Sequence, residues 1–379
     1  MIIQSKRVWV AEQFVAVQVE IEDGKIKAIN DYGEKAVDFD FGNQRIVPGF
    51  IDVHTHGAYG YDTNEPALEG LFKWAATLPK DEGVTSFLPT TVTHSEDVLL
   101  KAVENVAKAM KKDYNGAEIL GVHMEGPYLN LENKGAQPAE YILKTDLLQF
   151  QKYQTAANDQ IKYITMAAEA DPNHQLIKYC AVNKIAVALG HASASYDEIV
   201  RAYGNGAVSM THVHNGMPLY NHRNPSMAGA AYRLRSLYGE MVGDLNHVNP
   251  VIMNNYFTIK GDYTILISDS LLAKGFAKGI YKIGGQEFEI RDNGSAYLLG
   301  GDTLAGSTMR MNIGLKNLVE DCDIPFKNAL KSCTINPARM LKIDDYKGEL
   351  RSGFDGDITV IDDNYEIVQC YCKGKKQIQ

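Results

Sequence analysis

Three rhythms of apolar and polar residues divide the chain. From residue 1 to about 47, apolar and polar positions alternate with period two, as in VWVAEQFVAVQVEIEDGKIKAIN (8–30), where EDGK marks a hairpin turn. The C-terminal stretch GELRSGFDGDITVIDDNYEIVQCYCKGKKQI (348–378) has the same character, with short strands, DG turns and no helical period. The long middle alternates differently. Apolar runs of strand length recur at 46–56, 84–92, 118–126, 161–169, 185–193, 207–215, 240–248 and 263–270. Helical periodicity appears between them at 67–80, 95–112, 145–158, 174–184 and 196–203. Eight strands with mostly helical connections predict an α/β protein built on a (β/α)8 TIM barrel. The segment 279–307 breaks the rhythm with two or three short strands. The expected organisation is a small β-sandwich domain from residues 1–47 plus 345–379, around a barrel over 48–344 with a β insertion near 279–300.

Most of the conspicuous polar residues fall where those strands end. His54 and His56 close the first, within GFIDVHTHG; His123 and Glu125 close the third, His191 the fifth, and His212 and His214 the sixth. The seventh ends near His247 and the eighth at Asp269. In a TIM barrel the C-terminal strand ends meet at one mouth, where the chemistry occurs. Four imidazoles and two carboxylates there are usual ligands of a divalent metal. Each alone has a plainer explanation: a strand-end histidine is most often a hydrogen-bonded polar residue, and a lone Asp269 would serve as a helix N-cap. Their joint placement favours a metal centre, because chance would scatter them over helices and loops. His94 and His174 are expected only at helix starts, His123 in a supporting role, and Asp52, out of phase with Ile51 and Val53, as a structural partner. A metal at this mouth polarises a carbonyl and brings the pKa of water toward about 7, while a carboxylate carries the proton, which predicts hydrolysis.

Bulk properties narrow the partners. The chain has 379 residues, 45% of them apolar, enough for a large core. A formal charge of −9 argues against nucleic acid and against a basic membrane-surface protein. No apolar run approaches the roughly 20 residues a spanning helix needs. The start MIIQSKRVWVAEQ reads as a strand rather than a secretory segment. Five irregularly spaced cysteines indicate no disulfide framework, and a cytoplasmic location is expected.

The motifs PGFIDVHTHGAYGYDT, GVHMEGPYLN with KGAQP, LGHASASYDE, THVHNGMP, HRNPSMAGAA, LISDSLLAKG and GDTLAGSTMRMN together resemble the amidohydrolase superfamily. Within it they resemble the N-acetylglucosamine-6-phosphate deacetylases, over nearly the whole chain. D-x-H-x-H alone marks the superfamily; HMEGP with KGAQ, THxxNGM and DTLAGS is more specific. The resemblance implies deacetylation of N-acetylglucosamine 6-phosphate to glucosamine 6-phosphate and acetate, in amino-sugar catabolism and cell-wall sugar recycling. It implies Glu125, His191 and His212 as ligands of the main metal, His54 and His56 as ligands of a second with Glu125 able to bridge, and Asp269 as acid/base. One or two divalent ions are expected, zinc first, with iron, manganese or cobalt compatible. Substrate contacts are implied at Ala136, Gln137, Asn215, Gly216, Arg223, His247 and Leu304-Ala305-Gly306. Arg223 is expected to reach the neighbouring subunit's site, which implies a homodimer. Three positions depart from the common pattern: Gln137 where histidine is frequent, Gly216 where alanine is, and His214 where an aromatic is. The alternatives are another N-acetylhexosamine 6-phosphate, such as the galacto epimer, and a non-catalytic sugar-phosphate sensor.

Overall fold

The computed structural model describes residues 1–64, 67–283 and 286–377. Gly284 and Gly285 of the expected insertion and the last two residues of the C-terminal segment lie outside them. Eight parallel strands follow one another around a ring: β1 (Phe50–Thr55), β2 (Val84–Thr91), β3 (Val122–Glu125), β4 (Ile161–Met166), β5 (Ala186–Leu189), β6 (Ser209–Met210), β7 (Tyr238–Val242) and β8 (Thr264–Ile267). The ring closes past the strand ends, where the Asp269 N–H donates to the His54 carbonyl and the His56 N–H to that of Ser270, both at 2.9 Å. Asp52 reinforces the seam: its carboxylate accepts the Ser268 hydroxyl at 2.5 Å, the structural role expected of it.

The connections are α1 (Leu68–Glu82), α2 (Glu96–Met110), α3 (Leu147–Ala156), α4 (Gln175–Val182), α5 (Tyr196–Gly204), α6 (Ser226–Arg233) and α7 (Pro250–Lys260), with α8 (Met311–Glu320), α9 (Phe326–Ser332) and α10 (Ile335–Leu341) after β8. Local chemistry sets several boundaries. Ser195 and Glu198 form a capping box on α5, Asp146 caps α3, and Asn249 caps α7 with Pro250 following. Gly83 ends α1 at φ +73, where any side chain would be strained. The barrel interior is filled by Ile51, Val53, Leu88, Tyr163, Ala188, Val242, Ile265 and Ile267, and α10 closes the end opposite the site with Ile335, Ala338 and Met340.

Both termini meet in one mixed sheet. Its strands run in the order 375–377, 367–372, 358–361, 45–48, 2–10, 13–22 and 25–31. One link between the barrel side and this sheet is ionic: buried Lys347 contacts Glu118 at 2.8 Å, Asp355 at 2.9 Å and Asp357 at 2.6 Å. Strands 279–283, 286–290 and 296–298 form a separate antiparallel sheet after β8, in the expected insertion. No helix among the described residues is long and apolar enough to cross a membrane.

Candidate metal centre and active site

His54, His56, Glu125, His191, His212 and Asp269 converge, all less than a tenth exposed. Alternation along β1 turns His54 and His56 to one side with their Nε2 atoms 3.3 Å apart, and Thr55 the other way, onto the Ser270 hydroxyl. Glu125 Oε1 lies 3.3 Å from His191 Nε2, 3.4 Å from His212 Nε2 and 3.5 Å from His54 Nε2. Its Oε2 lies 3.3 Å from His56 Nε2. Asp269 Oδ1 is 3.3 Å from His56 Nε2 and 3.6 Å from His54 Nε2.

The outward nitrogens fix the tautomers. Nδ1 of His191 faces the Asn133 carbonyl at 2.9 Å, that of His212 the Asn215 carbonyl at 3.1 Å, and that of His56 the Thr90 carbonyl at 3.3 Å. Nδ1 of His54 faces Glu240 Oε2 at 3.0 Å. With each Nδ1–H committed to an acceptor, the Nε2 lone pairs point at one another and at carboxylate oxygens, including 3.1 Å between His191 and His212. A bound divalent cation relieves that arrangement. Buried Glu125 Oε1, moreover, has no hydrogen-bond partner among the described residues. Ligands about 2.1 Å from a tetrahedral ion lie about 3.4 Å from one another, close to the separations here. His54, His56 and Glu125 form one group able to hold a metal ion, and Glu125, His191 and His212 a second.

The electrostatics agree. Burial lowers the His54 pKa, but Glu240, Glu125 and Asp269 outweigh it and raise it to about 9. Burial likewise opposes the charge of His56, which Asp269 and Glu125 raise to about 10. Burial pushes the Asp269 carboxyl up, yet His54, His56 and His212 hold it well below the carboxylate range. Positive charge is strongly favoured at this centre. The backbone is strained there too: His191 (φ +47), His212 (φ +25) and Asp269 (φ +47) are all left-handed.

A cavity of about 240 Å³ opens over the cluster. Ala136, Gln137, Asn215, Gly216, His247, Leu304, Ala305 and Gly306 line it, joined by Gly135, Asp302 and Thr303, which sequence reasoning did not single out. Gln137 accepts the Thr93 N–H at 2.8 Å and donates to Glu125 Oε2 at 2.5 Å, leaving one amide hydrogen for the cavity. His247 lies five residues past β7, its Nδ1 held by Asp244 at 2.7 Å. Arg223 does not line this chain's cavity; it sits on an exposed loop. His214 turns away to the Tyr232 hydroxyl at 3.1 Å, so it is a packing residue rather than a pocket wall. His123 lies beneath the cluster between the Val53 carbonyl (3.0 Å) and the Thr165 hydroxyl (2.8 Å), and burial holds it neutral. Sequence reasoning also missed Glu240, whose signal is one charged residue inside the apolar strand YGEMV.

The amidohydrolase family model matches residues 45–376. An N-acetylglucosamine-6-phosphate deacetylase of Bacillus subtilis strain 168 is 35% identical over 87% of this chain and 83% of its own. That of Lysinibacillus sphaericus is 32% identical over 96% and 94%. An N-acetylgalactosamine-6-phosphate deacetylase of Escherichia coli O157:H7 is 30% identical over 94% of both chains. Among solved structures, a mutant N-acetyl-D-glucosamine-6-phosphate deacetylase of Mycobacterium smegmatis in complex with N-acetyl-D-glucosamine-6-phosphate superposes with a TM-score of 0.94 at 26% identity, covering 100% of this chain and 99% of that one. Placed by its barrel, its strand-end cluster and these relatives, the chain belongs to the amidohydrolase family and, within it, to the N-acetylglucosamine-6-phosphate deacetylases.

Proposed function

We propose that this chain hydrolyses the N-acetyl group of N-acetylglucosamine 6-phosphate, releasing acetate and glucosamine 6-phosphate. The observation that carries the reading is the convergence of four imidazole Nε2 atoms and two carboxylates under a cavity walled by Asn215, Gly216 and Leu304–Gly306. Amidohydrolases are metal-dependent. Glu125, His191 and His212 would hold one ion, and His54 and His56, with Glu125 shared, a second; zinc is the first candidate, with iron, manganese or cobalt also compatible with imidazole and carboxylate. A bound divalent ion supplies a polarised carbonyl and a more acidic water.

The protein's own groups do the rest. Asp269 Oδ1, 3.3 Å from His56 Nε2, takes the proton of the attacking water and returns it to the leaving nitrogen. Asn215 and the remaining Gln137 N–H offer polar contacts to the sugar. His247, fixed by Asp244, faces the cavity as a phosphate donor. Arg223 would reach the phosphate in the pocket of a neighbouring copy in a homodimer, because its loop is exposed and carries Leu219 and Tyr220 outward (87% and 54% exposed). A cytoplasmic location fits a phosphorylated substrate. The division into residues 1–47 with 345–379 and residues 48–344 is part of this reading.

The test is acetate release from N-acetylglucosamine 6-phosphate and its galacto epimer, with metal counted in the same sample. Turnover of the gluco compound at one or two ions per chain is expected. Absence of turnover of that compound by metal-loaded protein would overturn the substrate, and preference for the galacto compound would reassign the epimer. Arg223→Ala should chiefly raise KM; equal cleavage of the unphosphorylated sugar would remove the phosphate contact.

A further inference from the structure

One buried carboxylate beside the site is not used by the reaction. Glu240, on β7, is fully buried, and no lysine or arginine among the described residues lies within ion-pair distance of it. Oε1 accepts the Tyr163 hydroxyl at 2.6 Å. Oε2 faces His54 Nδ1 at 3.0 Å and, more weakly, the His212 N–H at 3.4 Å. Burying a carboxylate with no lysine or arginine partner is costly, and an apolar side chain would fill the same space without that cost. The charge therefore has a use, and its direction is set by what it touches.

The four histidines are unequal in one respect. His56, His191 and His212 lean their Nδ1–H on neutral backbone carbonyls, and His54 alone leans on a carboxylate. A carboxylate on one ring nitrogen orients the imidazole and makes the other a stronger donor. His54 Nε2 belongs to the His54–His56–Glu125 group and not to the Glu125–His191–His212 group. We infer that Glu240, held by Tyr163, is a positioning residue that acts through His54 to set ion affinity at the first of these groups, leaving the second largely independent of it. This rests on the reading of His54 and His56 as metal ligands. It makes the two positions electrostatically different, since only one has a further negative charge directly behind a ligand.

The experiment titrates the metal-free full chain with Co2+ alone. Ions bound per chain and their affinities are followed by calorimetry and elemental analysis, and the visible cobalt spectrum reports the ligand field. In Glu240→Gln, which keeps the shape and removes the charge, one of two ions should bind about 10–100-fold more weakly, with the other unchanged within about threefold. Tyr163→Phe keeps the charge and loosens its hold, so the same ion should weaken by a smaller factor; this variant carries the test if Glu240→Gln does not fold. Two ions bound by Glu240→Gln at wild-type affinity would overturn the inference, as would equal weakening of both ions, which marks a general structural role. A wild-type chain that binds only one ion would instead overturn the reading of His54 and His56, and the inference would go with it.

Discussion

Replacing Asp269 with asparagine tests the chemistry most directly, because the structure keeps everything else in place. The residue sits at φ +47, a conformation asparagine tolerates better than most side chains. Its N–H donates to the His54 carbonyl at 2.9 Å and its carbonyl accepts from Ser307 at 2.7 Å, and neither bond involves the side chain. The amide has the shape of the carboxylate but cannot accept and return a proton. Positioned general acid–base catalysis contributes about 10²–10⁴-fold, so kcat should fall by that factor, about 3–5 kcal/mol in the barrier. The companion variant Asp269→Ala should lose as much activity and, in addition, some thermal stability, because an ordinary L-residue in a left-handed conformation costs about 1–2 kcal/mol. The assay is acetate release under saturating substrate, with metal content and melting temperature measured on the same samples. A kcat within tenfold of wild type at full metal content would refute the proton-transfer role. A kcat that falls in parallel with metal content would show that Asp269 is needed as a ligand, and the assignment of base would have to move.

Other predictions concern what holds the site and the fold. Lys347→Met should destabilise the protein by about 3–5 kcal/mol at neutral pH, because Asp357 loses its one side-chain cation among the described residues, whereas Asp355 keeps Lys25 and Glu118 keeps Lys373. Burial raises the pKa values of Glu118 and Asp355, but Lys347 outweighs it and both end lowered. Their contribution is therefore fully present above about pH 4 and is lost as pH falls through the depressed folded values. Asp357, raised by burial, runs the other way and softens that loss. Melting curves should thus show the gap between wild type and variant narrowing below about pH 4; a gap constant from pH 7 to 3 would contradict the ionic account. Gln137→Leu strips Glu125 Oε2 of its donor and Thr93 of its acceptor, and should cost about 1–3 kcal/mol in thermal or urea unfolding; an unchanged midpoint would mean that water replaces both contacts. Chelation should lower the melting temperature reversibly, since an ion present at 100 times its Kd stabilises the folded state by about 2.7 kcal/mol. A melting temperature indifferent to metal would count against an ion at this cluster.

The barrel was legible from its eight apolar runs, and most of the cluster because β1, β3, β5, β6 and β8 run into histidine, glutamate or aspartate at or just past their ends. His54, His56, Glu125, His191, His212 and Asp269 all fell at such ends, and those ends necessarily meet. Helices with caps or a clear polar face, such as α2 and α5, were legible as well. Helix α6 was not: five of the eight residues of SMAGAAYR are small and six of the eight are buried, so little polar face is left to set a period. His247 was expected near the end of the seventh strand but lies on the loop beyond it, because β7 stops at Val242 and Asp244 then gathers the turn. Glu240 was illegible for a different reason: a single acidic residue in a strand does not say which partner lies across the barrel, and β1 and β7 are not neighbours in the sheet.

Least legible was the backbone at the strand ends, and it explains how the site is held. His191, His212 and Asp269 are all left-handed, at about 1–3 kcal/mol each. In every case the strained residue's carbonyl accepts an N–H from a loop residue: Asn130 for His191 at 2.8 Å, Asn215 for His212 at 2.9 Å, and Ser307 for Asp269 at 2.7 Å. Each such bond offsets about 0.5–1.5 kcal/mol of that strain. Two of the three clamps stand beside the cavity wall, Asn215 in it and Ser307 next to Gly306. The same loop that lines the substrate cavity thus sets the direction of the side chain beneath it. A change in the loop after β6 or β8 that removes the Asn215 or Ser307 N–H contact therefore also releases the backbone of His212 or Asp269.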